Sequence, residues 1–224
     1  MWISRGLRRM WGYVRDAPGT YLWLGVLFLT TVALHHMSPE FEQEFLRARS
    51  TNLRELSSDP VRVLIASAMW IEGGRWVPYA VLYSVFHAQA ERWLGTVRWL
   101  AVCVVAHVGA TLVSQGALLW AIRAGVAPRS AVDAMDVGVS YALAGVVGVL
   151  VYRIPGTAWR YGYLLAVLAV YGVPLALGPT FTDLGHGVGL LTGLACRPLV
   201  RGRPGKTRNP KETAAVGSDY RPWP

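Results

Sequence analysis

The chain of 224 residues is 53% hydrophobic and carries 22 Lys and Arg against 13 Asp and Glu, a formal net charge of +9. Its mean hydropathy of +0.34 and its apolar runs of about 17 residues or more exclude an ordinary soluble domain. The cations gather at both ends and between the runs, so the charge reads as a membrane orientation signal and not as a nucleic-acid footprint.

Residues 1–18 are basic with interleaved apolar side chains: Ile3, Leu7, Trp11 and Val14 fall at spacings of three and four, among Arg5, Arg8, Arg9 and Arg15. Such a segment is expected to lie in the interface with its arginines toward anionic lipid. It lacks the small-residue cleavage site of a secretory signal. A first span is expected at 20–37, with His35 and His36 at its outer end. Residues 38–60 are polar and mixed in charge, a loop with room for a short surface helix, and Ser57-Ser58-Asp59-Pro60 reads as a turn. In 61–90 the apolar run is broken by Glu72-Gly73-Gly74-Arg75. A helix through two glycines is disfavoured by about 1 kcal/mol for each. The first half therefore reads as a re-entrant or interfacial piece and the second as a span at 76–91.

A third span at 99–122 carries His107, Ser114 and Gln115, polar residues expected to bond across helices. The fourth is expected at 134–151, the fifth at 161–178 with Pro174 inside it, and the sixth at 181–196. Cys103 and Cys196, the only cysteines, offer neither a disulfide nor a metal set. From 197 onward the chain is basic and rich in proline and reads as a disordered cytoplasmic tail. The expected organisation is thus a basic amphipathic segment at 1–18, a six-helix transmembrane domain at 19–196 and a tail at 197–224. The fold class is an all-α membrane protein. Arginines at the N-terminus, after the second and fourth spans and in the tail place both termini in the cytoplasm.

With that orientation the fourth and sixth spans run the same way. Ser140 lies about six residues into one and His186 about five into the other, each about 8–9 Å below the outer surface. Small residues recur every four positions on both: Ser140, Ala144 and Gly148 on the fourth, Gly185, Gly189 and Gly193 on the sixth. Such faces let helix backbones approach closely. If they pack, Ser140 Oγ and an imidazole nitrogen of His186 come within the reach that a nucleophile and its base require.

The residues Gly138-Val139-Ser140-Tyr141, His186 with Gly189 and Gly193, and Glu91 with Gly95 resemble the rhomboid family of intramembrane serine proteases. That family shows Gly-x-Ser-Gly on its fourth helix, His-x-x-Gly-x-x-x-Gly on its sixth and Glu-x-x-x-Gly at the end of its second. The resemblance covers roughly residues 61–196. It implies a six-helix rhomboid-like bundle, N-in and C-in. Ser140 would attack a peptide bond of a substrate transmembrane segment, with His186 as base and then acid and no metal or cofactor. Counting back from Glu91, the family's oxyanion positions His-x-x-x-Asn become Arg75 and Tyr79, both able to donate hydrogen bonds. The glycine after the nucleophile is Tyr141, which could replace the aromatic that Ala144 lacks. Asp183, three residues before His186, is a candidate to orient the imidazole.

The expected function is a rhomboid-like intramembrane serine protease acting in the lipid bilayer on transmembrane protein substrates, as a multi-pass protein of a bacterial plasma membrane. The alternative is a catalytically weak or inactive rhomboid-like protein that binds transmembrane partners. A small-solute transporter using Asp136, Asp183 and His107 is the third reading, opposed by the lack of a visible inverted repeat. Nucleic acid is not an expected partner.

Overall fold

A computed structural model describes residues 11–202; residues 1–10, which hold most of the expected amphipathic segment, and the tail from 203 lie outside the described residues. Among the described residues every regular element is helical. Helix α1 (Pro18–His35) begins with proline at its first position, where the missing N–H costs nothing. No side chain of its own caps it. Instead Glu91, 1% exposed, reaches in from a distant helix and accepts from Gly19 N (2.9 Å), Thr20 N (2.7 Å), Thr20 Oγ1 (2.7 Å) and Thr96 Oγ1 (2.8 Å). A buried carboxylate is tolerable when its lone pairs are used in this way, and the dipole of α1 favours the negative charge there.

The polar stretch after α1 folds into two short helices, α2 (Pro39–Arg47) and α3 (Leu53–Ser58), and is more regular than the expected loop. Their starts are fixed by Ser38 and Asn52, which accept from Phe41 N and Glu55 N. The piece expected to be re-entrant or interfacial forms α4 (Pro60–Ser67), capped by Asp59. A 3-10 turn at Glu72–Gly74 follows, with both glycines at positive φ. A side chain at Gly74 would also strike His35 at the end of α1.

The expected second span is a composite: α5 (Trp76–Leu82), a π-turn at Tyr83–His87, then α6 (Ala88–Leu94). The π-turn stacks the Tyr83 ring on the fully buried His87 at 4.0 Å, and Trp99 Nε1 donates to His87 Nδ1 at 3.1 Å. After α7 (Thr96–Arg123) come a 3-10 turn (Arg129–Asp133), α8 (Val139–Leu150), another 3-10 turn (Val151–Arg153), α9 (Thr157–Leu177), α10 (Phe181–Ala195) and α11 (Arg197–Val200). The expectation of an unstructured tail from 197 is corrected at its start, because Leu199 and Val200 pack on the core formed by Trp99, Val102 and Val146.

Among the described residues three helices, α1, α7 and α9, are long and apolar enough to cross a membrane. Helix α8 is only 12 residues long and starts at Val139, five residues after the expected boundary. The segment before it stays extended because the Asp136 carbonyl is held by Thr51 N at 2.9 Å and Thr51 Oγ1 at 3.0 Å. Every residue of α8 except Ser140 is buried. It is wrapped by α7 and α10, so protein covers its ends and it need not run the full ~20 residues of a lipid-facing span.

Glycine sets the crossing of α8 with α10. A Cβ on Gly193 would fall on the backbone of Gly145, one on Gly148 would lie 2.5 Å from Leu190 O, and one on Gly189 would lie 2.8 Å from Tyr141 O. The face on α8 thus includes Gly145 beside Ala144 and Gly148, a slight rotation from the expected stripe.

Candidate active site

Ser140 is the second residue of α8, whose start no side chain caps. Gly138 stands before it because the ring of His107 on α7 occupies the space a Cβ would need. His107 Nε2 lies 2.9 Å from Leu64 O and 3.4 Å from Ser67 Oγ, so one imidazole ties α4 to α7 beneath the start of α8. Tyr83 donates to Val139 O at 3.4 Å and brings the π-turn against the same turn of helix. Serine at this place has its amide among the first-turn N–H groups that lack an intrahelical acceptor, at the positive end of the helix dipole.

His186 is the sixth residue of α10. That helix starts with a reciprocal cap: Thr180 Oγ1 accepts from Asp183 N at 3.1 Å, while Asp183 Oδ2 accepts from Thr180 N at 3.0 Å and from Thr180 Oγ1 at 2.6 Å. The structure brings Ser140 and His186 together, with Ser140 Oγ and His186 Nε2 2.8 Å apart in a half-buried setting. Tyr141 stands edge-on to the imidazole at 5.2 Å, and Tyr171 of α9 lies at 5.9 Å. Gly185 makes room for the Tyr141 ring, which a Cβ there would overlap.

The other expected residues are placed differently. Asp183 is corrected as an orienter: its carboxylate is used in the cap of its own helix, and among the described residues it makes no hydrogen bond to His186. Arg75 is exposed and lines a groove of about 580 Å³ with Phe28, Thr31, His35 and Trp76. Tyr79 packs on the cluster of Leu24, Leu27, Ile71, Tyr83 and Val139. Neither Arg75 nor Tyr79 hydrogen-bonds to Ser140 or His186 among the described residues. The π-turn lies between both residues and Glu91 and turns their faces relative to that of Glu91.

Two contacts escape a reading of the sequence, although Asp136 itself is a candidate residue there. Asp136, 3% exposed, accepts from Tyr141 Oη at 2.9 Å and from Gln115 Nε2 at 3.2 Å, so it fixes the ring that borders His186. An acid at the edge of an apolar run was the available signal. Tyr171 carried none, being one aromatic among many on α9. On the polar side, Arg54 donates to both Asp133 oxygens at 2.6 and 2.9 Å. That hydrogen bond, with the guanidinium charge, holds the Asp133 carboxyl below its ordinary pKa.

Residues 12–206 match the family described as rhomboid-like protein. The chain belongs to the rhomboid-like family. No curated protein and no solved structure matches it. Within this rhomboid-like protein, Ser140 and His186 form the polar pair, Gly189 and Gly193 lie in the glycine crossing, and Glu91 holds the start of α1.

Proposed function

We propose that this rhomboid-like protein is an intramembrane serine protease that hydrolyses peptide bonds of transmembrane substrates, with Ser140 as nucleophile and His186 as base. The observation that carries the reading is the 2.8 Å separation of Ser140 Oγ and His186 Nε2 at the uncapped start of a buried helix. In the attack step Ser140 Oγ bonds to the substrate carbonyl carbon and its proton passes to His186 Nε2. The oxyanion is met by the first-turn amides of α8, at Val139 and Ser140, and not by Arg75 or Tyr79. His186 then gives its proton to the leaving amine, and water releases the acyl group by the same route in reverse. Tyr141, held by Asp136, keeps the imidazole in place. Six membrane passages with both termini in the cytoplasm fit this reading: α1, α7 and α9 are the long lipid-facing passages, and the composite α5–α6, α8 and α10 are the others.

A second reading, a rhomboid-like protein that binds transmembrane helices without cutting them, is favoured by the positions of Arg75, Tyr79 and Asp183, none of which hydrogen-bonds to Ser140 or His186 among the described residues. Labelling with a fluorophosphonate separates the two. The protease reading expects labelling of wild type that disappears in Ser140→Ala and in His186→Ala, with cleavage of a transmembrane reporter in proteoliposomes lost to similar extents, because the pair acts as a unit. A wild-type protein that resists the probe, cuts nothing and retains its partners as Ser140→Ala would establish the binder.

A further inference from the structure

Two cavities meet at the end of the bundle opposite Ser140. Arg153 follows the C-terminal end of α8, about 20 Å along the chain axis from Ser140 at its start. One cavity, about 430 Å³, is polar and lined by Asp16, Gln89, Arg92 and Arg153. The other, about 330 Å³, is an apolar groove formed chiefly by Val85, Phe86, Leu150, Ile154 and Tyr163, and it shares Gln89 and Arg153 with the first. Both volumes lie in the range of small-ligand sites.

The arginines are pre-arranged. Arg153 Nη1 donates to Gln89 O at 2.8 Å and to Gln89 Oε1 at 2.5 Å. Gln89 Nε2 donates to Tyr13 Oη at 3.0 Å, and Tyr13 Oη to Ser84 O at 2.7 Å. The Arg92 guanidinium lies over the Tyr13 ring at 4.4 Å. Among the described residues the only carboxylate facing the two cations is Asp16, in an exposed pair with Arg92 at 3.4 Å. Two guanidinia against one carboxylate leave the polar cavity with excess positive charge beside an apolar channel.

We propose that the joined cavities bind one anionic phospholipid, its phosphate between Arg92 and Arg153 and an acyl chain along the Val85–Tyr163 groove. The guanidinium fork matches phosphate oxygens in geometry as well as charge. A zwitterionic lipid would bring its own cation to a site that already holds one too many. Val85, 52% exposed, marks the side from which a chain enters from the bilayer. The site stands apart from Ser140 and His186 and does not depend on the protease reading.

The test uses the purified full chain in neutral detergent, with phosphatidylglycerol and phosphatidylcholine as probes, read by native mass spectrometry and by thermal unfolding. Wild type is expected to retain phosphatidylglycerol preferentially and to melt later with it. Arg92→Gln, on the surface and remote from the core, should reduce that preference about fivefold. Arg98→Gln, an arginine at the same end but outside the cavity, should leave it unchanged. Asp16→Asn should strengthen binding, since it removes the competing carboxylate, and a gain of this kind cannot come from misfolding. Val85→Gln should weaken phosphatidylglycerol, and inorganic phosphate should displace it only at large excess. Equal retention of both lipids, equal losses in Arg92→Gln and Arg98→Gln, no gain in Asp16→Asn, or displacement by equimolar inorganic phosphate would each overturn the proposal; the last would assign the site to a free phosphate.

Discussion

Tyr141 and Gly185 are one feature written at two positions. The ring stands where the resembling motif has glycine, and the glycine on α10 gives it room. Gly185→Ala should therefore destabilise the protein by about 1–3 kcal/mol through overpacking. Tyr141→Ala introduced with it should recover part of the loss, a non-additivity that a double-mutant cycle in thermal or chemical unfolding measures. Tyr141→Phe should cost about 1–3 kcal/mol, since Asp136 loses one of its two side-chain donors. Under the protease reading it should also slow fluorophosphonate labelling by loosening the ring beside His186. Ser140 and His186 were legible as neighbours because matched distance from the start of two co-directional runs implies matched depth. The spacing of three from His186 draws attention to Asp183 as its neighbour, although Thr180 three residues earlier is the local signature of the capping box in which its carboxylate is used. Asp136 could not be assigned a partner, because its donors come from α7 and α8 and only packing shows which faces meet.

At the scale of elements the glycine crossing decides how close α8 and α10 come. Gly193→Ala should destabilise strongly, because the new methyl group would fall on the Gly145 backbone, whereas Gly187→Ala meets only Leu175 Cδ2 at 3.6 Å. The latter should be neutral or stabilising by up to about 1 kcal/mol from helix propensity, and comparison of the two melting temperatures checks the packing. The four-residue repeat announced that these helices touch. It could not give the rotation that brings Gly145 into the crossing, since that depends on how the Tyr141 ring at Gly185 and the Gly145 backbone at Gly193 pack together. On the polar side, the depressed pKa of Asp133 means that its link to Arg54 contributes at pH above the ordinary aspartate value and is lost as pH falls through the lowered one. Because the pair is exposed the effect should be small and weakened by salt. Protection against hydrogen exchange in residues 51–59, with the intrinsic pH dependence of amide exchange divided out, should fall on acidification in wild type and fall less in Arg54→Gln, where only the Arg62 pairs with Glu55 and Asp59 remain to be lost.

For the whole molecule, the proposed six passages predict that reporter fusions after residues 38 and 129 read as external and those after 95 and 156 as internal; one reversed reading breaks the assignment. The all-helical class and the long runs at α1, α7 and α9 were plain from hydropathy. The lengths of the inner helices were not, because hydropathy cannot tell a residue that faces lipid from one that faces another helix. Glu91 shows the same limit in another form. It reads as the polar end of a run, yet it holds the start of α1 and the start of α7 together. Glu91→Ala strands those buried donors and should lower stability by several times as much as Glu91→Gln, which keeps an acceptor.

The π-turn at Tyr83–His87 makes the second helix behave like a screw with one thread too many. Removing a single residue from it would not simply shorten the helix. With His87 and Glu91 held by their partners, everything upstream would turn by about 100°, carrying Trp76 and Tyr79 off the α1 face and withdrawing Tyr83 from Val139. The extra residue is thus an angular setting: it determines which side of α5 faces the start of α8, and any sequence that lacks it presents a different side there.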